Sequence, residues 1–147
     1  MQIVNLTPHP VVILRDDPEG EVVGFTGNPP AVKEGRFSVV ATFHPEPQSA
    51  RAVQRDEIVG ALEIDGHSVP VVHATFGEPY MAAKGLDGVE VREQFPAPAE
   101  GVYLVVSVIT AQAAKALGRP TDDLLITSDP VRDDKGKFIG VRKFALL

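Results

Sequence analysis

The 147-residue chain contains no cysteine. Disulfide staples and thiolate metal sites are therefore excluded. No apolar run approaches the roughly 20 residues that a membrane-spanning helix needs. Met1 to Leu14 lacks a basic lead-in followed by an apolar core, so it does not read as a signal peptide. These absences point to a cytoplasmic protein with no membrane partner. Positive charge is scarce: 14 Lys and Arg face 20 Asp and Glu, for a net charge of −6. That argues against duplex DNA as a partner, because phosphate neutralisation dominates such binding.

Catalytic signatures are missing too. The chain has no G-x-S-x-G elbow, no Walker phosphate loop and no G-x-G-x-x-G. His9, His44, His67 and His73 show no HxH, HxxxH or HExxH spacing, so no metal site is expected. The adjacent acids Asp122/Asp123 and Asp133/Asp134 invite a two-carboxylate mechanism. Neighbours on a strand or turn point different ways, however, and Asp is a common turn residue. The sequence predicts no catalytic residue and no cofactor.

What is present reads as one globular domain over residues 1–147, long enough to bury a core. Pro and Gly number 13 each, which implies many turns and few long helices. The spacing predicts strands over 2–6, 11–15, 21–26, 36–44 and 51–58, with 11–15 and 21–26 as a hairpin. Ala61–Ile64 and His67–Phe76 flank Asp65-Gly66, the best tight-turn signal in the chain. Residues 77–101 read as loop, with at most a short strand near 88–92. Val102–Val106 reads as a buried strand. It enters a helix at about 108–117, capped by Ser107 or Thr110 and stopped by Gly118. Strands over 124–127 and 137–146 follow, around a turn at Asp133–Gly136. The fold class is α+β: compact and β-rich, with that one central helix and a short strand–helix–strand crossover.

Charge is uneven. Residues 1–101 hold 7 basic and 15 acidic side chains, while 102–147 hold 7 and 5. A small anion can find a local basic pocket, or both halves are ordinary solvated surface. Arg51 follows a Pro-rich loop, Arg119 follows the helix stop, and Arg132 precedes a turn. A guanidinium fork suits phosphate oxygens and stacks on bases. Phe76 and Tyr80 offer a stacking wall, and Glu78 an acceptor for a ribose or base edge. The plain alternative for Arg132 is a brace that pairs with Asp133 or Asp129.

Several short motifs resemble a family of small phage and prophage proteins. They are Asn5-Leu6-Thr7-Pro8-His9, Phe76-Gly77-Glu78, Pro96 to Pro98, Tyr103 to Ser107 and Val131 to Gly140, with a looser match at Ser49-Ala50-Arg51-Ala52-Val53. The characterised branch to which the chain is most similar is the first family of Thoeris anti-defence proteins. The resemblance implies a non-enzymatic sponge in the cytoplasm of an infected bacterium. It would sequester cyclic ADP-ribose isomers made by TIR-domain immune proteins, with cyclic oligonucleotides at a separate site in some members. It also implies a homodimer or larger homo-oligomer. Carried over, Arg132 and Arg51 contact ligand phosphate or ribose. Residues 16–44 have no counterpart in the family pattern. The runner-up reading is a phage structural or regulatory protein with no small ligand. A hydrolase of nucleotide signals would need a metal cluster that the sequence does not offer.

Overall fold

Val102-Tyr-Leu-Val combines two β-branched valines with Tyr and Leu, and it forms strand β10 (Val102–Val105) of the computed structural model, which describes residues 1–147. The chain then enters helix α1 (Val108–Ala116). Ser107 is its cap: the Ser107 hydroxyl accepts the Thr110 amide at 3.2 Å. Gly118, at a φ of +82°, ends the helix in the left-handed conformation that glycine adopts without strain. Strand β11 (Leu124–Arg132) follows and pairs parallel with β10, so the short crossover forms as expected.

The remaining strands are β1 (Gln2–Asn5), β2 (Val11–Asp16), β3 (Val22–Thr26), β4 (Lys33–Phe43), β5 (Ser49–Arg51), β6 (Gln54–Ile64), β7 (His67–Phe76), β8 (Tyr80–Lys84), β9 (Glu90–Gln94) and β12 (Phe138–Ala145). The fold is strand-rich with one helix. Seven strands make one sheet in the order β1-β10-β11-β12-β2-β4-β3. This sheet curls until β3 returns to β11, where Arg132 pairs with Phe25. The strands β11-β12-β2-β4-β3 thereby close a small barrel. Leu14, Phe37 and Val131 fill it. Gly140 is required there: a Cβ would lie 2.8 Å from Leu14 and 2.9 Å from the Val12 carbonyl.

On the α1 side, Ala111 and Ala114 pack with Leu104, Val106, Leu124 and Ile126. Leu6, Ala50, Met81 and Phe95 join the same core. The odd residue Val105 points the other way, to Val11 and Val141. This two-residue alternation is what a sheet covered on both faces requires.

Three expectations are corrected. Strands β2 and β3 do not pair with each other, because both pair with β4, which lies between them. Residues 77–101 hold the short strand expected near 88–92, which is β9, and also β8 where loop was expected; β8 pairs with both β5 and β9 in a three-stranded sheet ordered β5-β8-β9. Tyr80-Met-Ala-Ala-Lys has little β propensity of its own, and cross-strand pairing sets its state. Strand β11 continues past Thr127 to Arg132, held by β12. The Asp65-Gly66 turn forms as expected, with φ values of 48° and 79° and Ile64 opposite His67.

Asn5 is 1% exposed, and its carboxamide is fully paired. Its nitrogen donates to the carbonyls of His9 (2.7 Å) and Phe43 (2.9 Å). Its oxygen accepts from the Thr7 amide (2.9 Å) and hydroxyl (2.6 Å). Asn5→Ala takes the side-chain partner from the part-buried Phe43 carbonyl and Thr7 amide, while the His9 carbonyl keeps the Thr7 hydroxyl. We expect it to lower stability by about 3 kcal/mol, read as a lower urea midpoint at unchanged slope.

Candidate functional site

The three-stranded sheet has an inner and an outer face. Ala50 and Met81 stand opposite each other and enter the core. The outward residues next to them are Arg51 on β5, Tyr80 on β8 and Gln94 on β9, which sit abreast in register. Arg92, two residues from Gln94, shares their face. Its guanidinium carbon lies 4.2 Å from the centre of the Tyr80 ring. Its Nε donates to the Glu90 carboxylate at 2.9 Å. That hydrogen bond, helped by Tyr80, raises the Arg92 pKa above the ordinary arginine value, so its charge is permanent.

A cleft of about 400 Å³ opens beside this row, lined by Arg55, Gly77, Glu78, Tyr80, Arg92 and Gln94 among others. A second cleft of about 370 Å³ adjoins it and shares Glu78, Pro79 and Gln94. Phe95, Pro96, Leu117 and Arg119 form its other walls. Both volumes suit a small ligand. The structure therefore brings Glu78, Tyr80 and Arg119 to one region, with Arg51 on the adjoining sheet face. Phe76 is half-buried at the end of β7, one residue before Gly77, and lines neither cleft.

Arg119 is already engaged. Its fork meets Asp123 with two hydrogen bonds of 2.8 and 2.9 Å. Its Nε donates to the Pro96 carbonyl at 3.0 Å, and Nη1 also donates to Pro120. The guanidinium lies 5.0 Å from the Phe95 ring centre. The two side chains of the ion pair are only 13% and 12% exposed. Arg119 thus ties the Pro96 segment to the end of α1, and few of its donors remain for a ligand.

Arg132 stands elsewhere. It lies where β3 closes the barrel, beside a register shift at Val131/Arg132. A separate cleft of about 370 Å³ there is lined by Phe25, Asn28, Pro29, Val32, Arg132 and Asp133, among others. Arg132 pairs with neither Asp133 nor Asp129. Asp133 accepts the amides of Lys135 and Lys137 within its own turn. Asp129 is taken by Arg142 at 2.8 Å. The one side-chain bond from Arg132 goes to the Gly136 carbonyl at 3.1 Å. Half of this cleft comes from residues 25–32, inside the segment without a counterpart in the family pattern.

Arg55 and Arg92 escaped the sequence reading. Arg92 ends the short strand expected near 88–92, and its stacking on Tyr80 depends on β8–β9 pairing, which the sequence does not show. No group of three or more His, Asp or Glu side chains is arranged to hold a metal ion. No helix is long and apolar enough to cross a membrane. No family model, curated protein or solved structure matches the chain.

The Arg119–Asp123 geometry gives a prediction. Arg119→Ala leaves a largely buried carboxylate unpaired and should cost about 3 kcal/mol of stability. Chemical denaturation measures this, and an unchanged midpoint would show that Arg119 does not brace the fold.

Proposed function

We propose that this protein captures a small phosphate-bearing nucleotide, of the cyclic ADP-ribose or cyclic oligonucleotide class, and holds it without cleaving it. One observation carries the reading: Arg51, Tyr80 and Arg92 form a row of two guanidiniums and a ring on one sheet face, beside a cleft. Such a row offers forks for phosphate oxygens and a stacking plane for a base. Gln94 and Glu78 add hydrogen-bonding groups for base or ribose edges. The Arg132 cleft is a second place for an anion, with Phe25 as its apolar wall. In this reading the protein is an anti-defence sponge of an infected bacterium, acting in the cytoplasm. The clefts are open on one side, so a homo-oligomer completes their enclosure.

Capture needs enclosure, paired phosphate donors and stacking surface, and no nucleophile or general base. The net charge of −6 does not oppose it. Screening confines surface fields to about 8 Å at physiological salt, so the local arginines dominate what a bound phosphate feels.

Calorimetric titration with cyclic ADP-ribose isomers and cyclic dinucleotides tests the reading. Tyr80→Ala should remove a stacking plane worth about 1–3 kcal/mol, or roughly 5- to 150-fold in affinity. Arg132→Ala should weaken capture by about 2 kcal/mol, roughly 30-fold, if its cleft holds the phosphate. Unchanged affinity with a lowered melting point would assign Arg132 to bracing its own turn through Gly136. No binding of any of these nucleotides to the native protein would leave the no-ligand reading, a phage structural or regulatory protein, in possession, and full affinity in both variants would place the nucleotide away from Tyr80 and Arg132.

A further inference from the structure

The same two stretches of chain run side by side twice, as β5 with β8 and as β6 with β7. The ladder breaks between these pairings. Ala52 and Val53 join β5 to β6, while Gly77, Glu78 and Pro79 join β7 to β8. Two residues against three is the unequal count of a bulge, which bends a ribbon. One backbone bond crosses the break, from the Gly77 amide to the Val53 carbonyl at 2.7 Å. Beyond it the β6–β7 hairpin pairs with no other strand. Its residues from Gln54 to Ile64 and from His67 to Thr75 are exposed, and Phe76 at its base is half-buried. A segment with so few buried contacts moves most easily at its narrow join.

The cleft of about 400 Å³ sits on this join. Val53 and Gly77 line it from the break, Arg55 from the hairpin, and Arg92 and Glu93 from the sheet. The Arg55 backbone belongs to the hairpin, since it pairs with Thr75, whose hydroxyl donates to the Arg55 carbonyl at 3.4 Å. The Arg55 guanidinium makes no hydrogen bond or ion pair within the chain. Arg92 spends only its Nε, on Glu90. Two unspent forks thus meet one cleft from opposite sides of the bend. Two carboxylates line the same cleft: Glu93 accepts from Gln48 at 3.0 Å, and Glu78 has no partner. These charges balance, so a bare anion gains little there. A ribose diphosphate satisfies both signs. Each fork takes one phosphate, and the carboxylates accept ribose hydroxyls.

We infer that Arg55 and Arg92 hold the diphosphate of a ribose nucleotide between them, and that filling the cleft thereby locks the β6–β7 hairpin against the body. This rests on the nucleotide capture above, and it adds Arg55, the diphosphate and a moving part to it. The absence of cysteine allows a clean pair of spin labels. Ser68→Cys places one near the hairpin tip, and Lys135→Cys places the other on the turn before β12. Pulsed electron resonance should give a broad distance distribution for the free protein. Saturation with cyclic ADP-ribose or linear ADP-ribose should narrow it. Arg55→Ala should weaken calorimetric binding of the same nucleotides roughly tenfold or more and leave the distribution broad when the cleft is filled. Arg55 is exposed and unpaired, so the melting point should not move. Gln54→Ala, on the opposite face of β6, should change neither readout. Three results would overturn the clamp and leave nucleotide capture standing. They are undiminished affinity in Arg55→Ala, a distribution unchanged by the bound nucleotide, and binding only of cyclic dinucleotides, which lack a diphosphate. No binding of any of these nucleotides would remove both.

Discussion

The carboxamide of Asn5 is the constraint on which the placement of everything else rests. It closes the Thr7–His9 turn and grips the end of β4 through Phe43. The backbone around it extends the tie. The Asn5 carbonyl accepts the Glu46 amide, Leu6 donates to Val105, and the Leu6 carbonyl accepts the Ala50 amide at 2.7 Å. Ala50 is the buried residue that seats the three-stranded sheet, and Arg51 follows it. A single buried amide thus sets where Arg51 and Tyr80 stand relative to the large sheet. An apolar residue of similar size could fill the space, but it would leave the part-buried Phe43 carbonyl and Thr7 amide without this partner.

Two different packing solutions meet along β11. Its first half belongs to a parallel crossover, with α1 and the three-stranded sheet on one face. Its second half belongs to the closed barrel, where Val131 enters a core with Leu14 and Phe37. Ion pairs stitch the outside of this junction: Arg142 reaches Asp129 and Asp16, at 2.8 and 2.9 Å. The hydrogen bond to Asp16 is the first cause of the raised Arg142 pKa, so Arg142 stays charged throughout the accessible pH range. The pairs are partly exposed, and such contacts orient strands more than they stabilise them. Arg51 on the three-stranded sheet and Arg132 at the barrel seam make no ion pair, and Arg92 spends only its Nε on Glu90.

Local chemistry made much of this legible. Ser107, Gly118 and the alanines between them marked α1, and Asp65-Gly66 marked the long hairpin, because caps and tight turns depend on neighbouring residues. The Glu78, Tyr80 and Arg119 grouping could be named residue by residue but not as a cleft, since β8 and β9 exist through their pairing with β5. Arg92 was invisible for the same reason. Arg119 reads in sequence as a ligand contact, but the segment from Arg119 to Asp123 lies beyond the end of α1 and contains Pro120, and only the fold closes that fork. The barrel closure by β3 was also hidden, because β4 lies between β2 and β3 and converts an expected hairpin into a wider turn of the sheet.

Native mass spectrometry of the protein with a panel of cyclic ADP-ribose isomers and cyclic dinucleotides tests the central claim most directly. Capture without cleavage gives a mass shift equal to one intact nucleotide per site, and recovery of that nucleotide unchanged after the protein is denatured. No adduct with any nucleotide, or release of a cleaved product, would contradict non-catalytic capture.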